Sequence, residues 1–342
     1  MESIYRLNYI GSKYNLLDWI VSTLKSVTGH QTLEGLTIAD LFSGTGIVSY
    51  HLRTLGATVL SNDAELYSSV IAKAMTICTY TPRCQELIAQ LNEECKTSSQ
   101  VGYVTVHYSP HEGNERMFFT EENAKRIDYL RNRIEQLNLE PNEYAFLLAS
   151  LLVSADRVSN VPAVYGCYLK SFKDRATRDL ELVPIHMNSD PAVDGSRTYN
   201  SDVLTLELPA VDVAYLDPPY NGRQYSKNYF PLNIIAKTPS ELETEPPLKG
   251  KTGIPEDCFL SPFCRKKEAL DSFDKLFRTL PAKYILLSYS SEGIVTKDVL
   301  QSSMEKYGTV TVFEQPYKKF KSFEYNEDAK VTEYLFCLTK SE

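Results

Sequence analysis

At 342 residues, with 43% hydrophobic and 23% charged side chains, the chain has the composition of a globular protein and is longer than one hydrophobic core usually organises. Its net charge of −8 argues against a protein that coats nucleic acid electrostatically, although it permits a local basic face. No run approaches the roughly 18 to 20 apolar residues of a membrane span and no signal-peptide layout begins the chain, so we expect a cytoplasmic protein.

The first elements along the chain form a βαβ pattern. Apolar residues at helical spacing predict a helix over 16–24, and a short apolar run predicts a strand over 37–42, followed by Ser-Gly-Thr-Gly. A second helix over about 47–55 leads to a strand over 58–61, which closes on an asparagine and Asp63. The pattern therefore places an acidic residue just beyond the second strand.

The next part of the chain does not continue this alternation. Residues 64–96 have a helical pattern, and 101–108 alternate apolar and polar side chains as a strand does. Residues 121–160 carry two long helical patterns that Pro141 separates. We therefore predict an inserted, mainly helical region over 81–195, within a catalytic domain formed by 1–80 and 196–342.

The α/β pattern then resumes. A short strand near 198–201 precedes an apolar strand over 211–216, which we expect at the centre of the sheet because it is apolar and runs straight into Asp217-Pro218-Pro219-Tyr220. A polar, proline-containing stretch over 237–265 is predicted to be a mobile loop. The remaining predicted elements are helices over 266–279 and 296–306 and strands over 284–290, 309–315 and 331–338, the last two forming a hairpin with a long tip.

Neither a metal site nor a disulfide framework is predicted. The seven cysteines form no CxxC pair, so we expect reduced thiols and no zinc knuckle. His107 and His111 have the spacing of ligands on a helix, but no partner ligands lie nearby in the sequence.

Positive charge is concentrated in short runs along the second half of the chain. Such a run is more often a solvated surface than a ligand site, but several of these runs flank the proline motif. The runs are Lys170, Lys173, Arg175 and Arg178; Arg223 and Lys227; Lys249 and Lys251; Arg265, Lys266 and Lys267; and Lys318, Lys319 and Lys321. The candidate nucleic-acid-binding residues are Lys170, Lys173, Arg175, Arg223, Tyr225 and Lys227.

The sequence Asp40-Leu41-Phe42-Ser43-Gly44-Thr45-Gly46 stands at a strand-to-helix turn, where glycines let the backbone approach a ligand closely. Asp63, at the carboxyl end of the next strand, can accept hydrogen bonds from ribose hydroxyl groups. Together these residues suggest an adenosine-containing cofactor. A tight turn without a ligand, with Asp63 as a helix N-cap, is the structural alternative.

The tetrapeptide Asp217-Pro218-Pro219-Tyr220 is the strongest signal. Two prolines cannot extend a central strand, so the chain leaves the sheet there and presents Asp217 and the Pro218 carbonyl at the edge where ligands bind. The amino nitrogen of adenine is a poor nucleophile because its lone pair is delocalised into the ring. Two acceptors bonded to its hydrogens favour a pyramidal nitrogen that can attack a sulfonium methyl group, and Tyr220 would stack on the flipped base.

In the order and spacing of these residues, the chain resembles the Dam-like, α-group adenine-specific DNA methyltransferases. The resemblance covers most of the chain outside the insertion. The segment from Arg6 to Lys13 resembles the N-terminal motif of that family, and 164–170 and 221–229 resemble its FokI-type branch. The resemblance implies a Rossmann-like class I methyltransferase fold, with a mixed seven-stranded sheet, a C-terminal hairpin and a target-recognition region in the insertion.

The resemblance also implies roles for individual residues. Tyr9 and Lys13 would hold the methionine part of S-adenosylmethionine, and Asp202 would read its adenine amino group. The implied cofactor-binding residues are Tyr9, Lys13, Asp40, Phe42, Ser43, Gly44, Gly46, Asp63, Asp202 and Val203. The implied catalytic residues are Asp217, Pro218, Pro219 and Tyr220.

The implied activity is methylation of adenine N6 in double-stranded DNA, and the resemblance implies no metal. It implies a restriction-modification system, in which a cognate endonuclease can be the partner. Three alternatives stay open. An enzyme with the same cofactor site could methylate adenine in structured RNA or an amide in protein, although Asp217 stands where amide methyltransferases usually have asparagine. The chain could also be a nucleic-acid-binding module that has lost catalysis.

Overall fold

The computed structural model describes residues 4–317 and 331–341. The chain divides into two compact units. The sheet unit comprises Lys13–Ala64, Val193–Gln224 and Leu260–Glu342, and the helical unit comprises Met1–Ser12, Glu65–Ala192 and Tyr225–Phe259. The sequence-based assignment of 81–195 to a target-recognition region stays a prediction.

The strands of the described residues are β1 Thr37–Asp40, β2 Thr58–Asp63, β3 Arg197–Asn200, β4 Val211–Leu216, β5 Leu248–Lys249, β6 Ile254–Pro255, β7 Ala282–Ser290, β8 Gly308–Tyr317 and β9 Val331–Lys340. Seven of them form the sheet of the sheet unit, in the order β3-β2-β1-β4-β7-β9-β8. The first five strands in this order run parallel, and β9 pairs antiparallel with both β7 and β8. The predicted mixed seven-stranded sheet is confirmed, and the predicted tip of its hairpin lies largely outside the described residues.

The α-helices of the described residues are α1 Leu17–Thr28, α2 Ile47–Thr54, α3 Leu66–Thr76, α4 Pro82–Thr97, α5 Tyr103–Tyr108, α6 Glu121–Gln136, α7 Pro141–Arg157, α8 Tyr225–Ala236, α9 Pro239–Glu243, α10 Ala269–Thr279 and α11 Lys297–Met304. The four helices α1, α2, α10 and α11 belong to the sheet unit. No helix among these residues is long and apolar enough to cross a membrane.

The core of the sheet unit forms between the sheet and two of its helices. In α10, Phe273, Leu276 and Phe277 recur at helical spacing and are buried. They pack in one cluster with strand residues such as Leu216 and Leu287. Burying each such side chain contributes roughly 1.5–3 kcal/mol, so this cluster fixes the strands whose ends carry the site.

The helical unit is built around α7, in which every residue from 145 to 156 is buried. Its start follows from local sequence, since Pro141 takes the first helical position and Glu140 forms a reciprocal capping box with Glu143. Thr81 and Thr120 are the N-caps of α4 and α6, and the side chain of each accepts a hydrogen bond from a backbone N–H group in the first turn.

Two sequence-based expectations need correction. Residues 101–108 were expected to form a strand, but Tyr103–Tyr108 form α5 because the buried Asp128 carboxylate accepts bonds from backbone N–H groups of its first turn. The stretch 237–265 was expected to be a loop, but it contains α9 and the two-stranded hairpin of β5 and β6.

Candidate functional site

The candidate residues of the sheet unit follow the carboxyl ends of four neighbouring parallel strands. Asp202 follows β3, Asp63 ends β2, Asp40 ends β1, and Asp217 follows β4. The strand register aligns these ends, since Asp63 pairs with Asn200 and Asp40 with Tyr215. This is the edge at which open α/β sheets bind ligands.

The glycine turn between β1 and α2 has the backbone that its sequence predicts. Gly44 and Gly46 have φ angles of 51° and 67°, in the left-handed region that favours glycine. The Gly44 N–H donates to Asp63 Oδ2 at 2.8 Å, and the Ser43 hydroxyl donates to the Asn62 carbonyl at 3.0 Å. The turn after β1 is therefore bonded directly to the end of β2.

Asp40 is buried, with 1% of its surface exposed. Its Oδ2 accepts the Ser49 hydroxyl at 2.6 Å, while its Oδ1 has no hydrogen-bonding partner among the described residues. Burial raises the pKa of this carboxyl group to about 7, against the lowering effect of the Ser49 bond. This carboxyl oxygen without a partner belongs to the last residue of β1, four residues before Gly44.

Asn62 is a positioning residue that the sequence analysis missed. Its side-chain amide donates to the Leu41 carbonyl at 3.3 Å and to the Ser201 carbonyl at 3.1 Å. Its Oδ1 accepts the Ser201 N–H at 3.1 Å. One buried side chain therefore ties the chain after β1 to the chain after β3, and only the position of Asn62 beside Asp63 could have drawn attention to it.

The ends of the first three strands also position the other proposed cofactor residues. Asp202 Oδ1 accepts the Leu204 N–H at 3.0 Å, which fixes the turn after β3. Val203 is buried in the core of the sheet unit, and Phe42 packs edge-on against Phe263 with ring centroids 5.2 Å apart. Phe42 and Val203 therefore have a packing role in addition to any contact with a ligand.

Lys13 and Asp217 form an ion pair. Lys13 Nζ lies 2.8 Å from Asp217 Oδ1, and the two side chains are 5% and 18% exposed. Burial raises the pKa of Asp217, and the Lys13 charge opposes that rise. Burial lowers the pKa of Lys13, but the charges of Asp217, Glu333 and Tyr220 and the hydrogen bond to Asp217 together raise it above its usual value. The Lys13 ammonium group therefore engages Asp217 Oδ1.

Tyr220 is partly buried beside this pair. Its carbonyl accepts the Ile294 N–H at 2.8 Å, and its ring meets the edge of Tyr289 with centroids 6.5 Å apart. Burial raises the pKa of its hydroxyl group. The backbone after Pro218 and Pro219 is thus anchored, while the Tyr220 ring keeps a solvent-accessible part.

In the helical unit, Tyr9 packs against two tyrosines of α8. Its ring lies 5.3 Å from that of Tyr225 and 4.9 Å from that of Tyr229. The Tyr225 hydroxyl donates to the Ile10 carbonyl at 3.0 Å, and Tyr229 Oη accepts the Ile10 N–H at 2.9 Å. The structure thus brings together Tyr9 and Tyr225, which the sequence analysis had assigned to different ligands, and adds Tyr229.

The candidate nucleic-acid-binding residues differ in their surroundings. Lys170 and Lys227, which lie in the helical unit, are exposed. Arg223, which lies in the sheet unit, is also exposed. Lys173 and Arg175 both donate to the Val161 carbonyl, at 3.2 and 3.3 Å, so they also hold their own loop together. The basic run 318–321 lies outside the described residues.

Among residues 4–317 and 331–341, no cluster of three or more His, Cys, Asp or Glu side chains could hold a metal ion. His107 lies in α5, and His111 pairs instead with Glu121 at 3.1 Å. The cysteines of this part of the chain are free thiols.

Comparison with known proteins gives a family match over most of the chain. A family model described as D12 class N6 adenine-specific DNA methyltransferase matches residues 9–302. The chain is 40% identical to the type II methyltransferase M.CviAII of Paramecium bursaria Chlorella virus 1, over 97% of this chain and 98% of that relative. It is 36% identical to M.NlaIII of Neisseria lactamica, over 98% and 100%. M.FokI of Planomicrobium okeanokoites is also 36% identical, over 98% of this chain and 53% of that relative.

Proposed function

This chain belongs to the D12 class of N6 adenine-specific DNA methyltransferases, and we propose that it methylates adenine in a specific DNA sequence with S-adenosylmethionine as the methyl donor. Relatives that match over their whole length are type II methyltransferases, which supports a role as the modification enzyme of a restriction-modification system. A cognate restriction endonuclease is then its expected partner in the cell, and the cytoplasm its expected location. The observation that carries the assignment of the site is the Lys13–Asp217 pair at the end of β4, aligned with the glycine turn.

The sheet unit presents groups that fit the proposed cofactor. The left-handed glycines keep Cβ atoms out of the turn, and the unpartnered Asp40 Oδ1 offers a buried acceptor beneath it. Asp63 and Asp202 place carboxylates at the ends of neighbouring strands, where they can accept bonds from hydroxyl and amino groups. We assign the adenosine part to these residues and the methionine part to the side of Lys13, with Tyr9 as the further contact that the family resemblance suggests.

S-adenosylmethionine supplies, when bound, a methyl group that its sulfonium centre has already activated. The chain therefore needs no general acid, and Asp217 acts as a hydrogen-bond acceptor. Its Oδ2 and the Pro218 carbonyl accept the two amino hydrogens of adenine, which localises the lone pair on N6. The proton that leaves N6 after alkylation is acidic, so it passes to water at the exposed side of Asp217.

The target adenine has to leave the duplex to reach these acceptors. Tyr220 is placed to stack on the flipped base because its backbone is anchored through the Ile294 N–H while its ring keeps an accessible part. We assign contacts with the phosphate backbone to the exposed cations Lys170, Arg223 and Lys227.

The substitution Asp217→Ala tests the catalytic assignment. Removing the acceptor should lower the rate of methyl transfer to duplex DNA at least about 100-fold, which is the loss typical of a preorganised electrostatic contact. The dissociation constant for S-adenosylmethionine, measured by calorimetry, should change by less than about threefold.

Asp271→Ala is the matched control, because it removes an exposed carboxylate from α10 of the same unit. We expect unchanged transfer in this variant. Transfer at the wild-type rate in Asp217→Ala would contradict the assignment, and preferential labelling of RNA over duplex DNA by the wild-type protein would contradict the proposed substrate.

A further inference from the structure

A second carboxyl group, Glu333, lies at the same end of the sheet as Asp217. Glu333 is in β9 and pairs in register with Ser290, the last residue of β7. Because β7 runs parallel to β4, with Leu216 opposite Leu287, the ends of both strands reach the edge where Asp217 stands. The fold therefore brings a residue near the end of the chain to the reacting edge of the sheet.

Glu333 is buried without a complete set of partners. It is 6% exposed, and its Oε2 has no hydrogen-bonding partner among the described residues. A buried carboxyl oxygen without a partner is costly, so its presence calls for an explanation. The mechanism derived from Asp217, Pro218 and Tyr220 gives this group no role.

The charge of Lys13, the partner of Asp217, also acts on Glu333. The charges of Asp217 and Glu333 both raise the pKa of Lys13, although burial lowers it. Burial raises the pKa of Glu333 and so does the nearby Asp217 charge, while Lys13 lowers it. The charged and titratable groups that surround this set are Asp40, Tyr215, Tyr220 and Glu292.

We propose that Glu333 is a positioning residue that shares the Lys13 ammonium group with Asp217, so that Lys13 turns toward Glu333 when adenine binds. This inference rests on the proposed function. A carboxylate neutralised by an ammonium group at 2.8 Å is a weak acceptor for a neutral amine. With Glu333 as the second anion, Asp217 regains the charge that it needs to hold the adenine amino group, and Lys13 stays paired.

The substitution Glu333→Gln removes this second anion with little change of shape. Lys13 then stays with Asp217, so we expect kcat for methyl transfer to fall about tenfold while the dissociation constant for S-adenosylmethionine changes less than twofold. The acidic limb of the kcat–pH profile should move to lower pH by about half a unit, because a like charge near Asp217 has been removed. Glu333→Asp, which keeps the charge, should recover a part of kcat.

Glu314→Gln is the matched control, since it neutralises an exposed carboxylate on the neighbouring strand β8. We expect wild-type kcat and an unmoved pH profile. Wild-type kcat in Glu333→Gln, or a lowered kcat without movement of the acidic limb, would overturn the inference, because loss of packing alone lowers kcat without moving the limb. Failure of the wild-type enzyme to methylate duplex DNA would instead overturn the proposed function itself.

Discussion

Ionisation of Asp40 opposes folding. The folded protein holds the proton of this buried carboxyl group up to a pKa of about 7, above the value of 3.8 for an unperturbed aspartate. Below pH 4 the group is protonated in both the folded and the unfolded chain, so its stabilising contribution is fully present. As the pH rises from about 4 through 7 the unfolded chain releases the proton first, and the free energy of unfolding falls.

Asp40→Asn should remove this pH dependence. The amide is neutral and can still accept the Ser49 hydroxyl, so its burial cost does not vary with pH. Between pH 4.5 and pH 8, the free energy of unfolding of the variant should gain about 3 kcal/mol relative to wild type, as urea denaturation at the two pH values would measure. Asp18→Asn, at an exposed position of α1, is the control, and parallel pH curves for Asp40→Asn and wild type would contradict the expectation.

Single residues of the site were predictable where chain order carries the information. Asp217, Asp63 and the glycine turn follow strands that the sequence identifies, so their meeting at one edge follows from parallel pairing. The ion pair of Lys13 with Asp217 was not predictable, because about 200 residues separate the partners and Lys13 had been assigned to the cofactor alone. The same holds for the ties made by Asn62, which depend on the register of three strands.

Among the elements, α5 depends on a contact that its own sequence does not contain. Asp128 in α6 accepts hydrogen bonds from the N–H groups of Gly102, Val104 and Thr105, at 2.8–3.0 Å, and from the Thr105 hydroxyl at 2.6 Å. These are the unsatisfied donors of a helix start, so a side chain more than 20 residues away caps the helix. The local alternation of apolar residues predicted a strand. This prediction was wrong because tertiary contacts override such short patterns.

Asp128→Ala should therefore unfold α5 before the rest of the protein. Four donors lose a buried charged acceptor, so we expect the free energy of unfolding to fall by about 3 kcal/mol or more. Hydrogen exchange should become faster for amides of α5 than for those of α7. Glu122→Ala removes an exposed carboxylate from the same helix as a control, and undiminished protection of α5 in Asp128→Ala would contradict this account.

Long elements were predicted more reliably than short ones. The apolar strand β4 and the helices α6 and α7 lie at the positions that the pattern of apolar residues and Pro141 predict. These predictions succeeded because many residues contribute to each pattern. The expected mobile loop over 237–265 holds α9 and a hairpin of two-residue strands. Elements this short leave too little periodicity in a sequence for recognition.

At the scale of the whole molecule, the net charge of −8 has to be reconciled with a polyanionic substrate. Binding then depends on local groups of exposed cations, because the net negative charge of the protein opposes the approach of phosphates. The chain belongs to a family of DNA methyltransferases, and the mixed seven-stranded sheet that the family resemblance implied is confirmed. The division into a catalytic domain and a target-recognition insertion stays a prediction, since it requires knowing which residues contact bases.

Lys170→Gln should weaken binding to duplex DNA several-fold, whatever the sequence of that DNA. If Lys170 neutralises one phosphate, the slope of the logarithm of the association constant against that of salt concentration should fall by about one. Fluorescence anisotropy over a salt series would measure both quantities. Lys275→Gln, at an exposed lysine of α10, is the control, and an unchanged salt slope in Lys170→Gln would show that this lysine contacts no phosphate.

The placement of β9 between β7 and β8 has a consequence for biosynthesis. Strand β8 has β9 as its sheet neighbour, and among the strands of the described residues β9 is synthesised last. A nascent chain on the ribosome therefore cannot seat β8 until residues 331–340 have emerged, and Glu333 arrives with them. A premature stop codon upstream of β9 therefore leaves a translation product whose sheet ends at β7.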